Sequence, residues 1–289
     1  MIAVKLKGGL GNQMFQYAFG RSLAIYYQTN LLLDISELQN KNIQHTYRNY
    51  ALNVFQIKAS IAQQKLQVEK ENKKSFLRFF DLRKSKKPFK LITERKFHFD
   101  AEIGKASDNC YLDGYWQSPL YFNDIENEIR ADFKLSIPLS PIAEPFLNRI
   151  NSCNAVSIHI RRGDYVTNAE TNSYHGICDL EYYKAAVKII KSKISNPVFF
   201  IFTDDMDWVN VNFIIDATFI LVSQKELTQF DDLQLMCACK HAIIANSSFS
   251  WWGAWLIANR EKIVVAPSKW FQNSSVNTDN LFPKSWLRI

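Results

Sequence analysis

The order of apolar and polar positions predicts strands that alternate with helices. Residues 2–6 form an apolar run of strand length, and residues 8–12 contain three glycines. Residues 13–28 repeat apolar side chains every three or four positions, as a helix with one buried face does. A strand, a glycine turn and a helix in this order are typical of the start of a nucleotide-binding fold. A second strand is predicted at 31–34, whereas the pattern from about 36 to 96 is less regular.

The second half of the chain alternates strands and helices more regularly. Its predicted strands are apolar on both faces, which is typical of a parallel sheet that helices cover on both sides. We therefore predict an α/β protein with two Rossmann-like domains whose parallel sheets face a cleft. The predicted strands are 155–160, 198–203, 218–221, 241–245 and 262–266, and the predicted helices are 180–194, 231–239 and 249–258.

Length and proline content divide the chain in two. Its 289 residues exceed one typical single-core domain, and residues 132–145 contain three prolines. We predict an N-terminal α/β domain over 1–135 and a C-terminal Rossmann-like domain over 146–289. No apolar run reaches the roughly 18 residues of a membrane span, and the first residues show no leader segment. We therefore expect a cytoplasmic protein.

The net charge of +7 comes from one segment. Residues 65–96 contain 12 Lys and Arg against 4 Asp and Glu, and Phe76, Phe79 and Phe80 lie within them at helical spacing. A basic, aromatic segment is compatible with weak peripheral contact with the inner face of an anionic membrane. A solvated helix or loop whose phenylalanines pack on their own domain is the favoured interpretation. No nucleic-acid-binding motif accompanies the charge, so no nucleic-acid partner is expected.

Polar residues follow four predicted strands, at the ends where ligands bind in doubly wound sheets. Two adjacent arginines beside a glycine suit a diphosphate, because guanidinium groups match phosphate oxygens in charge and geometry. Ion pairing at the surface is the alternative, and the neighbouring polar strand ends favour the diphosphate. The four strand ends carry Gly11-Asn12-Gln13, Arg161-Arg162-Gly163-Asp164, Asp204-Asp205 and Asn246-Ser247-Ser248.

The sequence gives little support for a dinucleotide site, a P-loop or a metal site. The glycine turn lacks the third glycine of a dinucleotide fingerprint, and no P-loop motif occurs. Asp204-Asp205 and Asp231-Asp232 are not Asp-x-Asp motifs, and two arginines suffice to neutralise a departing diphosphate, so we expect no metal. The helix that begins near residues 247–248 offers free backbone N–H groups to an anion. The tryptophans within 251–255 are expected to lie mostly in the core.

Five motifs follow one another along the chain. They are Gly-Gly-Leu-Gly-Asn-Gln-Met-Phe-Gln-Tyr-Ala (8–18), Gly-Tyr-Trp-Gln-Ser (114–118), His-x-Arg-Arg-Gly-Asp-Tyr (159–165), Thr-Asp-Asp (203–205) and Asn-Ser-Ser-Phe-Ser-Trp-Trp-Gly-Ala-Trp-Leu (246–256). Together they resemble the bacterial α-1,2-fucosyltransferases of glycosyltransferase family 11. The resemblance runs from residue 4 to about 271 and excludes the basic segment.

The resemblance implies a GT-B-like fold and transfer of L-fucose from GDP-β-L-fucose to the 2-hydroxyl of a galactose, with inversion and without a required metal. It also implies a galactoside acceptor on the N-terminal side, lipid-linked in some pathways, and a role in O-antigen synthesis. By the same resemblance, Arg161 and Arg162 stabilise the departing GDP. The residues expected at the donor are Gly11, Asn12, Gln13, Arg161, Arg162, Asp204, Asp205, Asn246, Ser247, Ser248 and Phe249.

No general base can be identified from the sequence. Asp164 and His159 are the nearest candidates, and with Arg161 they form the predicted catalytic set. Strand alternation places His159 on the same face as Arg161, which is equally compatible with a purely structural role. Two alternatives stay open: a GDP-fucose-dependent transferase with another acceptor or linkage, and a non-catalytic nucleotide-sugar-binding protein.

Overall fold

The computed structural model describes residues 1–40, 48–69, 87–163, 166, 172–174 and 176–289. The chain divides into two compact units, Met1–Ser136 with Asp279–Leu281 and Ile137–Thr278 with Phe282–Ile289. Each unit contains a parallel sheet and helices, which confirms the predicted α/β class. A short segment near the end of the chain thus belongs to the first unit, which the hydrophobic pattern does not indicate.

The first unit is built on a parallel sheet. Its strands are β1 (Ile2–Lys5), β2 (Leu31–Asp34), β3 (Ser60–Ile61), β4 (Val68–Glu69), β5 (Phe89–Thr93) and β6 (Cys110–Asp113). Within the described residues, the strand order is β3-β2-β1-β6-β5-β4. The chain leaves β1 towards one edge of the sheet and comes back to it through β6. The boundary between β1 and β6 is therefore the topological switch point of this sheet.

Helices α1 (Leu10–Tyr26), α2 (Ser36–Gln39) and α3 (Glu126–Asp132) belong to this unit. Helix α1 begins three residues earlier than predicted, because the chain turns at Gly8, which has a φ of +74°, and Gly9 already caps the helix. Gly11 and Asn12 therefore lie in the first helical turn rather than in a loop. Strands β3, β4, β5 and β6 are not among the predictions; β3 and β4 have only two residues each and are largely exposed.

The second unit also contains a parallel sheet. Its strands are β7 (Asn154–Ile160), β8 (Pro197–Thr203), β9 (Phe219–Leu221), β10 (His241–Ile243), β11 (Val264–Ala266) and β12 (Leu287–Arg288). In the described part of the unit, the order is β12-β11-β10-β7-β8-β9. This is the strand order of a Rossmann fold, with its switch point between β7 and β10. The five predicted strands are confirmed, whereas β12 was not predicted.

Helices cover both faces of the second sheet. They are α4 (Glu144–Asn151), α5 (Leu180–Lys193), α6 (Met206–Asn212), α7 (Gln229–Ala238) and α8 (Ser248–Leu256). On one face, Tyr183 and Ile190 of α5 pack against Ile158 and Ile160 of β7. Each such fully buried side chain contributes about 1.5–3 kcal/mol of hydrophobic free energy. The tryptophans of α8, at 0%, 0% and 5% exposure, confirm the predicted core position of residues 251–255.

Helix α4 begins within the stretch that was predicted as a linker. Pro145 occupies the first turn of α4, where a missing backbone N–H costs nothing. The division between the two units falls after Ser136, also within this stretch. Along the described residues, no helix is long and apolar enough to cross a membrane. Most of the basic segment, residues 70–86 with its phenylalanines, lies outside the described residues.

Candidate active site

The two arginines that follow β7 pair with the two aspartates that follow β8. Because β7 and β8 are parallel neighbours, both dipeptides leave the sheet at its carboxyl edge. Arg161 Nη1 lies 2.8 Å from Asp204 Oδ2, and Arg162 Nε lies 3.1 Å from Asp205 Oδ2. The backbone N–H of Arg162 also donates to Asp204 Oδ1 at 2.8 Å. All four side chains are 14–30% exposed, so the pairs hold the guanidinium groups in place where a ligand can reach them.

A tryptophan holds the second arginine from another side. The guanidinium carbon of Arg162 lies 4.0 Å from the centre of the Trp208 ring, a cation–π contact. Asp205 Oδ1 accepts the backbone N–H of Trp208 at 3.0 Å and so caps α6. One carboxylate therefore fixes both the helix and the arginine. Trp208 and α6 are not among the predictions, although Asp205 is one of the residue types that favour the start of a helix.

Gly163 is required by the approach of Asp204 to this turn. A Cβ at position 163 would lie 2.5 Å from Asp204 Oδ2, closer than real contacts of this kind. A larger residue would therefore displace the carboxylate that holds Arg161. The next residue, Asp164, is one of the predicted catalytic residues and lies outside the described residues, so its role stays a prediction.

His159 lies on β7, two residues before Arg161, and is 5% exposed. Its ring is 5.7 Å from that of Phe249, and its Nδ1 has no hydrogen-bond partner among the described residues. Burial lowers the pKa of His159 to about 4; the nearby charge of Asp204 raises it, and that of Arg161 lowers it further. The imidazole is therefore neutral at neutral pH. Both predicted roles, general base and structural neighbour, stay open.

The loop after β10 and the start of α8 bring four more predicted residues to the switch point. Asn246 is buried, and its amide donates to the carbonyls of Gly176 at 3.2 Å and Trp270 at 3.3 Å. These bonds fasten three loops together. Ser247 caps α8 without a hydrogen bond from its own hydroxyl to the helix, so this hydroxyl and the backbone N–H groups of the first turn are available to an anion. Ser248 and Phe249 are half-buried beside it.

In the first unit, the predicted donor residues differ in how far their side chains are engaged. Gln13 is fully buried, and its amide donates to the carbonyls of Gly8 and Asn49 and accepts the N–H of Ala51, all within 3.0 Å. These bonds use both N–H groups of the side chain and one of the two lone pairs of its oxygen. Asn12 is half-buried, and its Oδ1 accepts from the Gln117 amide at 2.8 Å. Asn12 is thus the better placed of the two to contact a ligand, while Gln13 orders the backbone around it.

The loop over residues 114–118 follows β6 and lies beside Asn12. Both carboxylate oxygens of Glu94 accept backbone N–H groups of this loop, from Tyr115 at 2.7 Å and from Trp116 at 3.0 Å. Trp116 is fully buried with a φ of +57°, a conformation that a non-glycine residue keeps only when its surroundings impose it. Strain of this kind is typical of functional loops. Residues 114–118 form one of the five sequence motifs, but the sequence predicts no role for Glu94, Tyr115 or Gln117.

The second aspartate pair has a structural role. Asp231 forms a capping box with Thr228 at the start of α7 and accepts the N–H of Ser140 at 2.9 Å. Burial raises the pKa of Asp232 to about 7. Over the residues that the structure describes, no three His, Cys, Asp or Glu side chains form a group able to hold a metal ion.

Comparison with known proteins places these features in context. The sequence model of Glycosyl transferase family 11 matches residues 1–289. The alpha-1,2-colitosyltransferase of Escherichia coli is 33% identical over 100% of this chain and 99% of its own. The O-antigen biosynthesis glycosyltransferase WbnK of Escherichia coli is 34% identical, covering 98% of this chain and 99% of its own.

More distant similarities extend to eukaryotes and to solved structures. The human galactoside alpha-(1,2)-fucosyltransferase 1 is 27% identical over 50% of this chain and 42% of its own. The crystal structure of the fucosyltransferase NodZ from Bradyrhizobium superposes with a TM-score of 0.51 at 13% identity, covering 87% of this chain and 92% of that one. At this identity, the structural similarity bears on the fold alone.

Proposed function

The chain belongs to glycosyltransferase family 11, and on this premise we propose that it transfers L-fucose from GDP-β-L-fucose to the 2-hydroxyl of a terminal galactose, with inversion. The setting we propose is O-antigen synthesis, since a full-length relative is a glycosyltransferase of that process. The donor binds the second unit, and the acceptor binds the first. The five motifs quoted above and the α-1,2 linkage in the names of two relatives support the proposal.

One observation carries the proposal, namely the pair Arg161 and Arg162 at the switch point of a Rossmann sheet. Inverting transfer is an in-line displacement through an oxocarbenium-like state, so charge grows on the departing diphosphate. Guanidinium groups that are already oriented stabilise this charge without having to reorganise. The aspartate partners and the Trp208 ring supply the orientation. In this role the arginines replace the charge that a metal would bring, and we propose that no metal is required.

The remaining donor contacts follow from the placement of the strand ends. Ser247 and Ser248 lie at the N-terminus of α8, next to β7, and we assign one of their hydroxyls to the β-phosphate. We assign Phe249 and one of the two aspartates, Asp204 or Asp205, to the nucleoside, and Asn12 to the fucose. Asp164 and His159 are the candidates for the proton from the acceptor hydroxyl.

A second candidate sugar has specific support. The alpha-1,2-colitosyltransferase is similar along the whole chain, whereas the human fucosyltransferase matches half of it. Colitose is L-fucose without its 3-hydroxyl. A site that hydrogen-bonds this hydroxyl rejects the deoxy sugar strongly, because a buried polar group would be left unpaired. The two donors are therefore distinguishable by their kcat/KM ratio.

The decisive experiment incubates the purified protein with GDP-fucose or GDP-colitose and with lactose or Galβ1-3GalNAc, in the presence of EDTA. GDP release and the linkage of the product are measured. An α-1,2-fucosylated galactoside is the expected product. Preference for GDP-colitose would support the second sugar, and another linkage would support a different acceptor. Binding of GDP-fucose without GDP release across a broad acceptor panel would support a non-catalytic binding protein. Loss of activity in EDTA alone would refute only the metal-free mechanism.

For location, we propose the cytoplasmic side of the membrane, where a lipid-linked acceptor would be accessible. The basic segment 65–96 supports weak contact with anionic lipid through its net charge of +8. Co-sedimentation with vesicles of anionic and of neutral lipid tests this. Equal recovery from both kinds of vesicle would contradict it.

A further inference from the structure

A cavity of about 400 Å³ opens at the carboxyl edge of the first sheet, where β5 ends. Residues between Glu94 and Ile103 line it together with Tyr121. The volume lies within the usual range for small-molecule sites, and the carboxyl edge of a parallel sheet is where such sites occur. No residue of this cavity was predicted at the donor, so it is a separate feature of the first unit.

The walls of the cavity suit a sugar ring. Phe99 lines the cavity with an aromatic ring, which packs on the buried Tyr121 with ring centres 4.8 Å apart and an angle of 60° between the planes. The Tyr121 hydroxyl accepts the backbone N–H of Asp100 at 3.0 Å, which fixes the ring. The polar and charged residues of the lining are Glu94, Arg95, Lys96, His98 and Asp100. A pyranose presents apolar C–H faces and a rim of hydroxyls, and an aromatic ring surrounded by polar and charged side chains matches both.

Glu94 connects this cavity to the 114–118 loop. Its carboxylate accepts the N–H groups of Tyr115 and Trp116, and the same side chain lines the cavity. Burial raises the pKa of Glu94, while the two N–H groups and the Lys7 ammonium lower it. Any Cβ at Gly114 would lie 2.4 Å from Glu94 Cβ, so the two segments are closely packed. The loop and the cavity wall therefore form one preorganised surface.

The sheet itself sets the spacing of this surface. Asn12 follows β1, the 114–118 loop follows β6, and the cavity follows β5, which are consecutive strands of the sheet. Neighbouring strands are about 4.8 Å apart, so the cavity lies about 10 Å from the end of β1. If Asn12 contacts the fucose, the galactose that receives it lies over the 114–118 loop. The next sugar of the acceptor then falls at the cavity.

We propose that this cavity binds the second sugar of the acceptor, the one to which the terminal galactose is attached. The proposal rests on the proposed function for the identity of the terminal sugar. Tyr115, whose ring is 37% exposed and has the Lys7 ammonium 4.9 Å from its centre, lies beneath the galactose. Residues of the cavity therefore determine which disaccharide is accepted. They do not affect the binding of the terminal galactose or of the donor.

The test compares methyl β-galactoside with Galβ1-3GalNAc as acceptors for the whole protein and its Phe99→Ala variant. We expect KM for the disaccharide to rise by about tenfold in the variant. KM for methyl β-galactoside, KM for GDP-fucose and the slow hydrolysis of GDP-fucose by water should stay within about twofold. His98→Ala, which also changes a residue that lines the cavity, should raise KM for the disaccharide by a smaller factor. It replaces Phe99→Ala in the test if that variant does not fold. Tyr26→Ala, in the last turn of α1 at the opposite edge of the sheet, is the control.

An unchanged disaccharide KM in both variants would overturn the proposal, as would an equal rise for both acceptors. Direct binding keeps the test independent of catalysis. Saturation-transfer NMR of Galβ1-3GalNAc with the wild-type protein should show contact at the GalNAc protons, and this contact should weaken in Phe99→Ala. A wild-type protein that binds in this way but transfers no sugar would refute the proposed function and support the cavity. Identical spectra for wild type and variant would refute the cavity.

Discussion

Arg161 and Asp204 form a 2.8 Å ion pair at the carboxyl edge of the second sheet, and each partner is about one-quarter exposed. An isolated pair at such exposure adds little to stability. Its value lies in orientation, because a guanidinium held on one side by a carboxylate presents its remaining N–H groups in a fixed plane. The diphosphate of a sugar nucleotide would meet an arginine that is already positioned. The ion pair and the diphosphate site, which were opposed as alternatives at the level of sequence, are compatible in the structure.

Replacement of Arg161 by lysine keeps the charge and removes the fork. We expect kcat/KM to fall by about 10²–10³, because a contact that strengthens in the transition state contributes about 3–4 kcal/mol. Steady-state kinetics of GDP release measure the loss. Arg130→Lys, in a surface pair with Glu126, is the matched control and should retain full activity. Near-normal turnover by Arg161→Lys would remove Arg161 from the mechanism.

Gly163→Ala tests the aspartate indirectly. The new Cβ would overlap Asp204 Oδ2 and push the carboxylate away from Arg161, while the backbone of this turn is otherwise unaffected. We expect kcat to fall by about tenfold or more, with the melting temperature lowered by no more than a few degrees. Circular dichroism and kinetics on the same preparation separate the two effects. An alanine variant with unchanged kcat would mean that the position of Asp204 does not matter to the reaction.

The limits of prediction from sequence are clear at this site. Strand ends could be identified from periodicity, so both the arginine pair and the aspartate pair were found. Their pairing depends on β7 and β8 being neighbours, and a linear pattern does not specify the order of strands in a sheet. Trp208 was missed because α6 has only seven residues and no clear apolar stripe.

In the first unit, the missed elements share a physical cause. Strands β3 and β4 have two residues each, too few to show a period. Glu94 looked like an ordinary charge in a basic segment, and only the tertiary structure places its carboxylate on two backbone N–H groups. Buried polar contacts between distant parts of the chain are satisfied in three dimensions, so local sequence carries little trace of them.

Gln13 and Asn12 should respond differently to substitution, although the sequence predicted the same role for both. Gln13→Met leaves the N–H of Ala51 and two carbonyls without partners, and we expect the free energy of unfolding to drop by about 2–5 kcal/mol. Asn12→Ala loses one half-buried bond to Gln117, so its stability should change by less than about 1 kcal/mol. If Asn12 contacts the fucose, its effect is on donor KM and kcat. Urea denaturation and steady-state kinetics of both variants measure these two effects. A large loss of stability in Asn12→Ala together with little loss in Gln13→Met would contradict the assignment.

His159 should make the stability of the protein depend on pH. Its pKa falls from 6.5 in the unfolded chain to about 4 in the folded protein, because burial opposes the charged form. Between these values the unfolded state binds more protons, so this contribution is fully present above about pH 6.5 and is lost as the pH falls towards 4. The slope approaches about 1.4 kcal/mol per pH unit. His241, whose pKa burial also lowers, acts in the same direction.

The variant His159→Phe isolates this contribution, since a phenyl ring keeps the contact with Phe249 and cannot titrate. Urea denaturation from about pH 4.5 to about pH 7.5 gives the free energy of unfolding for wild type and variant. We expect the wild type to lose up to about 3 kcal/mol more than the variant over this range. His241 and Asp232, whose pKa values shift in opposite directions, contribute equally to both curves. Parallel curves would show that His159 is not held neutral. Retention of activity by the variant would also exclude His159 as the general base and leave Asp164 as the candidate, because a phenyl ring accepts no proton.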